Sequence, residues 1–479
     1  MKRPLFLLPS FFFLPAMAAI AAIAVGPDYH RPDPPSADAY RDADLGSWKQ
    51  AAPADTVSRG EWWKVFNDST LNELESRSLA GNQDLRAAAA RVEQARAAAG
   101  LARSAYWPAI AANGTGQRLR ALDQEGNYVT GGNYAATLNL AWEIDLFGRV
   151  RRLSESARND AAASAATFES VRLALTSDVA ANYFSLLAVD REAGIVNGTV
   201  DLRHRALQLV KDRFESGAAS DLDLSRAETE LAITETDAAA LANRRASLQT
   251  ALAVLVGEAA SRFVLLTAGL ELSTPPVVPS GLPADLLERR PDIAAAERSL
   301  AAANARIGVA KAAFFPAISL TGGAGYNSFE VDHLFSWDHR VWSIGPSLYL
   351  PIFQGGRNRA NLERSHAAYD ESVATYRQAI LVGFREVQDA LTATKWLTEQ
   401  AAAQERAVAS ARRSAVISEE RYKSGLVNYL EVVDAQRTAL QSERSAAQLA
   451  GQRYITSVAL IKALGGGWST KSATTVALK

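Results

Sequence analysis

The sequence predicts a mainly α-helical chain that also supplies strands to a transmembrane β-barrel and that arose by tandem duplication. Landmarks that recur at one offset indicate the duplication: Gly425 follows Gly217 by 425 − 217 = 208 positions, and Pro316 follows Pro108 by the same distance. Stretches of about 60 residues without proline indicate the helical class. Segments of about ten residues in which apolar and polar side chains alternate indicate the barrel.

The amino terminus has the pattern of a bacterial secretory signal. Met1-Lys2-Arg3 provides a basic start, an apolar run extends to about Val25, and Ala22-Ile23-Ala24 provides small residues for cleavage. An uncleaved anchor is the alternative, because about 20 apolar residues can span a bilayer. Pro9 and Pro15 favour cleavage. We therefore expect the mature chain to be exported.

The repeat divides the remaining sequence into segments. Proline-rich stretches that disfavour regular structure lie after the signal and between the two halves. The expected boundaries are a signal peptide at 1–24, an extended segment with a short helix at 25–83, a first repeat at 84–257, a linker at 258–290, a second repeat at 291–465 and a flexible tail at 466–479. Each repeat is expected to run helix, two strands and a long helical hairpin.

The long helices are predicted to pack side by side. From about Arg149 to Phe214 there is no proline, and a helix of that length extends about 90 Å. Alanine is abundant along it, which allows helix backbones to approach closely. Such a pattern is typical of coiled-coil-like packing of many helices into a tube, and an ordinary helical bundle is the alternative.

Four strands of lipid-spanning length are predicted. Leu138, Leu140 and Trp142 alternate with polar or small residues, and the polar loops between strands are expected at Gln117–Gly132 and Gly325–His339. Four strands cannot close a barrel, and unpaired backbone groups are costly in lipid. The strands therefore either pack on a soluble domain or are pooled between subunits. Three copies would give twelve strands, so we favour an obligate trimer.

Two sharp turns connect the long helices. Gly217 and Gly425 provide the left-handed residue that ends the incoming helix. Ser220 with Asp223, and Asn428 with Glu431, have the spacing of a capping box at the start of the outgoing helix. The same turn therefore occurs once in each repeat.

Composition excludes several classes of function. The chain has no cysteine and a net charge of −1, so disulfides, thiolate chemistry and electrostatic binding of nucleic acid are not expected. No nucleophile–base set, phosphate loop or zinc spacing occurs. We expect no cofactor, no metal site and no enzymatic activity.

Several motifs are spread over about residues 26–467, namely Trp62–Phe66, Trp142–Gly148, Leu286–Ile293, Ala305–Gly308 and Tyr422–Arg437. Together they resemble the outer-membrane efflux protein family of the TolC and OprM type, in the NodT-like branch of outer-membrane factors. The resemblance implies a homotrimer with a twelve-stranded barrel in the outer membrane of a Gram-negative bacterium and an α-helical periplasmic tunnel with an equatorial belt. It also implies a passive duct for efflux or type I export, docked to a periplasmic adaptor and an inner-membrane RND pump.

The resemblance also assigns candidate residues. It places the pore constriction at the start of the last helix and one tie of the closed mouth in the first repeat, namely at Leu430, Glu431, Asp434, Arg437 and Asp223. It places the adaptor-contacting turns at Ser216, Gly217, Ala218, Ser424, Gly425 and Leu426. Relatives carry a lipidated cysteine where this chain has Ile23, so no lipid anchor is expected.

Each of these assignments has a simpler alternative. Glu431 and Asp434 are three residues apart and share a helix face, but Glu431 can instead complement the helix dipole and Asp434 can pair with Arg437. Both turns can be plain helix terminators. For the whole chain, the rivals are a trimeric coiled-coil surface protein and a periplasmic enzyme.

Overall fold

The structure is a computed structural model that describes residues 24–35, 60–122, 126–265, 275–276 and 290–466. Three predicted segments lie wholly or mostly outside the described residues: the signal peptide up to and including Ile23, most of the linker, and residues 467–479. The chain forms two compact units. Within the described residues, the first comprises 24–33, 91–165 and 295–376, and the second comprises 60–90, 166–265, 290–294 and 377–466, together with two short pieces at 34–35 and 275–276.

A four-stranded antiparallel sheet in the order β1-β2-β3-β4 dominates the first unit. Its strands are β1 (Ala109–Leu122), β2 (Tyr128–Ile144), β3 (Ala317–Ser328) and β4 (Arg340–Tyr349). The strand prediction is confirmed, but the loop boundaries were wrong. β1 and β2 pair out to Leu122 and Tyr128, so most of Gln117–Gly132 is strand. The β3–β4 connection begins after Ser328 and contains two short 3-10 helices, Val331–His333 and Trp337–His339.

The pairing register separates the sheet into an apolar and a polar face. Residues that pair directly lie on the same face, and successive residues alternate between faces. The even-numbered face includes Leu140, Gly322 and Ile344 in one row, and Leu138, Ala324 and Trp342 in the next. The odd-numbered face includes Asn139, Gly323 and Ser343 in one row. The alternation of apolar and polar residues in the sequence thus corresponds to a sheet with one apolar and one polar face.

The amino-terminal segment of the described chain crosses the helices of the first unit without regular secondary structure, as its prolines predict. The Val25 amide donates to the Phe147 carbonyl at 3.1 Å. The Tyr29 hydroxyl donates to Glu297 at 2.8 Å, and burial followed by this hydrogen bond raises the pKa of Tyr29 above its ordinary range. Buried Arg152 donates to Asp28 at 2.8 Å. These contacts hold residues 25–29 against the helices beside the sheet.

The second unit contains most of the helical hairpins. The helices of the chain are α1 (Ser69–Gly81), α2 (Gln83–Ser104), α3 (Arg149–Glu215), α4 (Asp221–Leu255), α5 (Pro291–Ala312), α6 (Arg357–Lys423) and α7 (Tyr429–Ala463). α3 and α6 each have 67 residues, and α4 and α7 each have 35. All corresponding bounds differ by 208, for example 357 − 149, which confirms the predicted duplication at the level of helices.

An aromatic core anchors the second unit. The short helix expected within residues 25–83 is in fact a 3-10 helix, Trp62–Phe66, followed by α1, because Asn67 adopts φ 52° and Asp68 caps α1. The Asp68 carboxylate accepts from the Leu71 amide and from the Tyr183 hydroxyl. Trp62 and Trp63 are buried in this core. Within the described residues, no helix combines the length and apolarity needed to cross a membrane.

Candidate gating site at the helix turns

The two helix turns have the same backbone geometry. Gly217 has φ +76° and Gly425 has φ +72°, which are left-handed values that favour glycine. The Ala218 amide donates to the Arg213 carbonyl at 2.7 Å, and the Leu426 amide donates to the Arg421 carbonyl at 2.9 Å. A Cβ on either glycine would meet no atom within 4 Å. The glycines are therefore required by conformation and not by crowding.

The six predicted turn residues are all exposed in the chain. Leu426 is 71% exposed, which is unusual for a leucine and leaves an apolar side chain at the tip of the second turn. The first-repeat turn has Ala218 at the corresponding place. The geometry therefore presents two short surfaces that differ mainly in the size of one apolar group.

A small apolar cluster packs beneath the turns and fixes one face of α7. Its buried members are Val210, Ala227, Tyr422, Tyr429, Val432 and Val433. The rings of Tyr422 and Tyr429 lie 5.5 Å apart, and the Arg213 guanidinium lies 4.6 Å from the centre of the Tyr422 ring. Because Tyr429, Val432 and Val433 face inward, the remaining positions of the first α7 turns must face away from this cluster.

The face of α7 opposite this cluster carries the predicted constriction residues. Leu430 is 38% exposed, Asp434 and Arg437 are exposed, and Glu431 is half-buried. The structure therefore brings Leu430, Glu431, Asp434 and Arg437 together along one side of one helix. Asp223 lies on α4 instead.

The capping prediction is confirmed in the first repeat and is wrong in part in the second. Ser220 and Asp223 form a full capping box, with Ser220 accepting from the Asp223 amide. In the second repeat, the Asn428 side chain accepts from the Glu431 amide at 3.2 Å. The Glu431 carboxylate instead accepts from Arg421 at 2.7 Å. Glu431 thus joins the two ends of the turn.

Arg437 has a partner that the sequence did not predict. It pairs with Glu230 of α4, whose other oxygen lies 3.2 Å from Arg203 of α3. Arg203 is 1% exposed and also donates to Gln436 at 2.7 Å. Burial lowers the pKa of Arg203, and the Glu230 charge opposes that effect. The pair between Asp434 and Arg437, which was the simpler alternative for Asp434, is replaced by this network, to which Asp434 adds a smaller Coulombic contribution.

A second polar network ties the same three helices further along. Arg444 of α7 donates to Glu192 of α3 at 2.9 Å and to Asp237 of α4 at 2.7 Å. Gln448 donates to the same Glu192 oxygen at 3.0 Å. Sequence reasoning missed both networks, because their members are separated by 200 residues or more along the chain or fall at unremarkable helical positions.

The described part of the Leu286–Ile293 motif, which begins at Arg290, has a structural role in the second unit. The Arg290 side chain is buried and donates to Asp292 at 2.6 and 3.0 Å and to Glu386 at 2.6 Å. It also donates to the Ala463 carbonyl at the end of α7. The hydrogen bonds to Asp292 and Glu386 raise the pKa of Arg290 despite its burial. The motif thus joins the start of α5 to α6 and α7.

The sequence matches a known protein family over most of both repeats. The family model described as "Outer membrane efflux protein" matches residues 74–258 and again residues 282–466. The second match begins 282 − 74 = 208 positions after the first, so the family comparison reproduces the internal repeat.

Individual relatives and solved structures agree with the family match. The chain is 36% identical over 462 residues to the probable efflux pump outer membrane protein TtgC of Pseudomonas putida, covering 94% of this chain and 95% of the relative. It is 33% identical over 450 residues to the cation efflux system protein CusC of Escherichia coli, covering 94% and 97%. The solved structure of the outer-membrane channel OprN is similar with a TM-score of 0.85 at 31% identity, covering 93% of this chain and 99% of that chain.

Long paired helices, a two-faced sheet and two repeated glycine turns define an outer-membrane channel protein of the kind that serves efflux. The chain belongs to the outer membrane efflux protein family. It accordingly acts in efflux at the outer membrane of a Gram-negative cell and is not an enzyme. Membership also excludes the trimeric coiled-coil surface protein considered above.

Proposed function

We propose that the chain is the exit duct of a tripartite efflux or type I export system, working as a homotrimer with a periplasmic adaptor and an inner-membrane RND pump. The observation that carries this proposal is the four-stranded sheet, which has one apolar face and whose edge strands β1 and β4 pair outward with no other strand of the described residues. Such a sheet in lipid must be closed by other strands, because each unpaired backbone group there costs several kcal/mol.

Three copies satisfy that requirement best. Two copies would supply eight strands, which leave an interior just wide enough for side chains, whereas twelve strands leave room for a channel. The apolar face would meet outer-membrane lipid, and the polar face would line the lumen. That polar face carries uncharged Asn113, Thr137, Asn139, Ser319 and Thr321, together with one carboxylate, Glu143, which pairs with Arg149 at 2.5 Å. A lumen with so little unpaired charge suits a passive duct whose cargo is selected elsewhere.

The periplasmic gate is proposed at the start of α7. Threefold symmetry would gather six carboxylates from Glu431 and Asp434 into one ring beside a ring of Leu430. Because Arg421 neutralises Glu431 within the chain, Asp434 would supply most of the free negative charge. Arg437 would hold α7 to α4 through Glu230, and Asp223 would fix the start of α4. The exposed turn residues would contact the adaptor.

Planar bilayer recordings of the purified trimer test the gate. E431A/D434A should weaken cation preference and relieve block by multivalent cations, because the ring loses its charge. The matched control E419A/E420A removes two carboxylates from α6, on the other side of the same turn. Light scattering in detergent should give a trimer for every variant. A monomer that stays folded would overturn the trimer, and unchanged selectivity and block in E431A/D434A would move the gate elsewhere.

A further inference from the structure

The even-numbered face of the sheet changes character along its strands. On β2 this face runs from Ile144, next to the start of α3, through Trp142, Leu140, Leu138 and Ala136 to Tyr134. Those ten residue steps span roughly 33 Å, or about 25 Å along a barrel axis at a tilt of about 40°. That is the height of the apolar band expected for an outer-membrane barrel. The apolar part of this face therefore ends near Tyr134.

Three arginines occupy the same face at the end of the sheet away from the helices. Arg118 pairs with Gly132 and Arg120 pairs with Thr130, both beyond the row of Tyr134. Arg340 pairs with Tyr326, one row before Tyr134. All three arginines are exposed. Among the described strand residues, this face carries no carboxylate.

Two of these arginines are held by aromatic side chains. The Arg120 guanidinium lies 5.1 Å from the centre of the Tyr128 ring. The Arg340 guanidinium lies over the Trp337 ring at 3.1 Å, and its Nε donates to the Trp337 carbonyl. Trp337 follows β3 in the connection at this end of the sheet, so Arg340 reaches beyond its own row. Aromatic rings mark the interfacial depth of membrane barrels.

At this end of the sheet, the described charged strand residues all lie on one face. On the opposite face the same part of β1 carries Thr115, Gln117 and Leu119. If this end of β1 merely faced water, Arg118 and Arg120 would have no reason to lie on the same face as the apolar residues. The β3–β4 connection contains the carboxylates Glu330, Asp332 and Asp338, and Glu330 pairs with His333 at 2.8 Å.

We propose that Arg118, Arg120 and Arg340 form a binding site for the phosphate groups of phosphorylated lipids in the outer leaflet, of the lipopolysaccharide class. This inference rests on the proposed barrel. Guanidinium groups match phosphate geometry in pairs of hydrogen bonds, and the adjoining apolar face receives the acyl chains of the same lipid. The site anchors the barrel rim to the outer leaflet. At position 23 the chain has isoleucine, which has no thiol to which a lipid could be attached.

Binding of a fluorescent diphosphoryl lipid A in mixed detergent micelles tests the proposal. The variant R118Q/R120Q/R340Q should bind this lipid at least about tenfold more weakly than the wild type, because it loses the charged donors. The control R359Q/R364Q removes two exposed arginines of α6, which follows the other end of β4. The control should stay within about twofold of the wild type. Dephosphorylated lipid A should bind the wild type as weakly as it binds the triple variant.

The outcomes separate the lipid site from the duct itself. The mass of the particle by light scattering and the pore conductance are recorded for every variant. A wild type that forms no trimer or no conducting pore would count against the proposed function. Equal lipid affinity of the triple variant and the wild type, with trimer and pore intact, would overturn the lipid site alone. Displacement of lipid A by millimolar inorganic phosphate would also overturn it, because a general anion site would then be present.

Discussion

The buried ion network behind the second turn allows a quantitative prediction. Glu230 is 6% exposed at its side chain and serves two cations, Arg203 at 1% and Arg437 at 54% exposure. In E230Q the Arg203 guanidinium still donates to Gln436, but its positive charge loses the carboxylate that compensates it. Leaving one member of a buried pair uncompensated costs about 3–5 kcal/mol. Arg437 is half-exposed and can turn to water, so its own loss should add little.

The network joins α3, α4 and α7 close to the turns, so its loss should appear as local opening there. Amide hydrogen exchange of residues 421–440, read by mass spectrometry on the purified protein, measures this opening. A cost of about 3–5 kcal/mol corresponds to exchange that is roughly 10²- to 10⁴-fold faster. The double variant R203M/E230M removes both buried charges and should return exchange to within about tenfold of the wild type.

The matched control is the pair Arg412–Glu443, which joins α6 and α7 with Arg412 63% exposed. An exposed pair of this kind contributes about 0–1 kcal/mol, so E443Q should accelerate exchange by less than about tenfold. If E230Q exchanged no faster than E443Q, the predicted cost of the unpaired Arg203 charge would be wrong. If R203M/E230M exchanged as fast as E230Q, burial of an unpaired charge would not be the cause of the faster exchange.

Two further perturbations follow from burial and backbone conformation. Burial raises the pKa of Glu75 from 4.5 to about 9, and neither carboxyl oxygen has a hydrogen-bond partner among the described residues. The folded chain therefore keeps a proton that the unfolded chain releases above pH 4.5, so stability should fall as pH rises from 4.5 towards 9, by roughly 3 kcal/mol at pH 7. Urea unfolding followed by circular dichroism should show a smaller fall in E75Q, whereas E73Q, altered at an exposed position of α1, should behave as the wild type. Gly257→Ala should destabilise the folded chain, since φ is +78° and the new Cβ would lie 2.2 Å from the Gly81 carbonyl oxygen. Gly100→Ala, in open space within α2, should instead stabilise it by about 0.5–1 kcal/mol in the same assay.

The parts of the fold that the sequence predicted are those that local residues encode. Glycines at left-handed positions, prolines after α2 and α5, and alternating strands mark boundaries without reference to distant residues. The strand ends were missed for a specific reason. Arg118 and Arg120 fall on the apolar face and so break the alternation that the prediction used, while pairing with β2 extends the strand through them to Leu122.

The candidate site was predicted less completely, because its electrostatics depend on long-range contacts. The helix face with Leu430, Glu431 and Asp434 could be read from spacing alone. The partner of Arg437 could not, since Glu230 lies 207 residues earlier in the chain. Glu431 was assigned to capping by local spacing, but Arg421 competes for its carboxylate across the turn. The charge-assisted pair with Arg421 outweighs the bond from the Asn428 backbone amide that a capping box would give the Glu431 carboxylate.

The two repeats conserve the turn and redistribute the charge, and this asymmetry bears on the gate. At the 208-residue offset, Leu222 corresponds to Leu430 and Asp223 to Glu431, but Arg226 occupies the place of Asp434. Thr438 likewise occupies the place of Glu230. Left-handed backbone conformation favours glycine in both turns, whereas a helix face tolerates either sign of charge. In the proposed trimer the two kinds of hairpin would alternate, so charge around the pore would repeat three times and not six. Asp223 lies 3.8 Å from Arg226 and is engaged in the capping box, so the negative ring would come mainly from the second repeat. E431A/D434A, with the first repeat unchanged, therefore tests it.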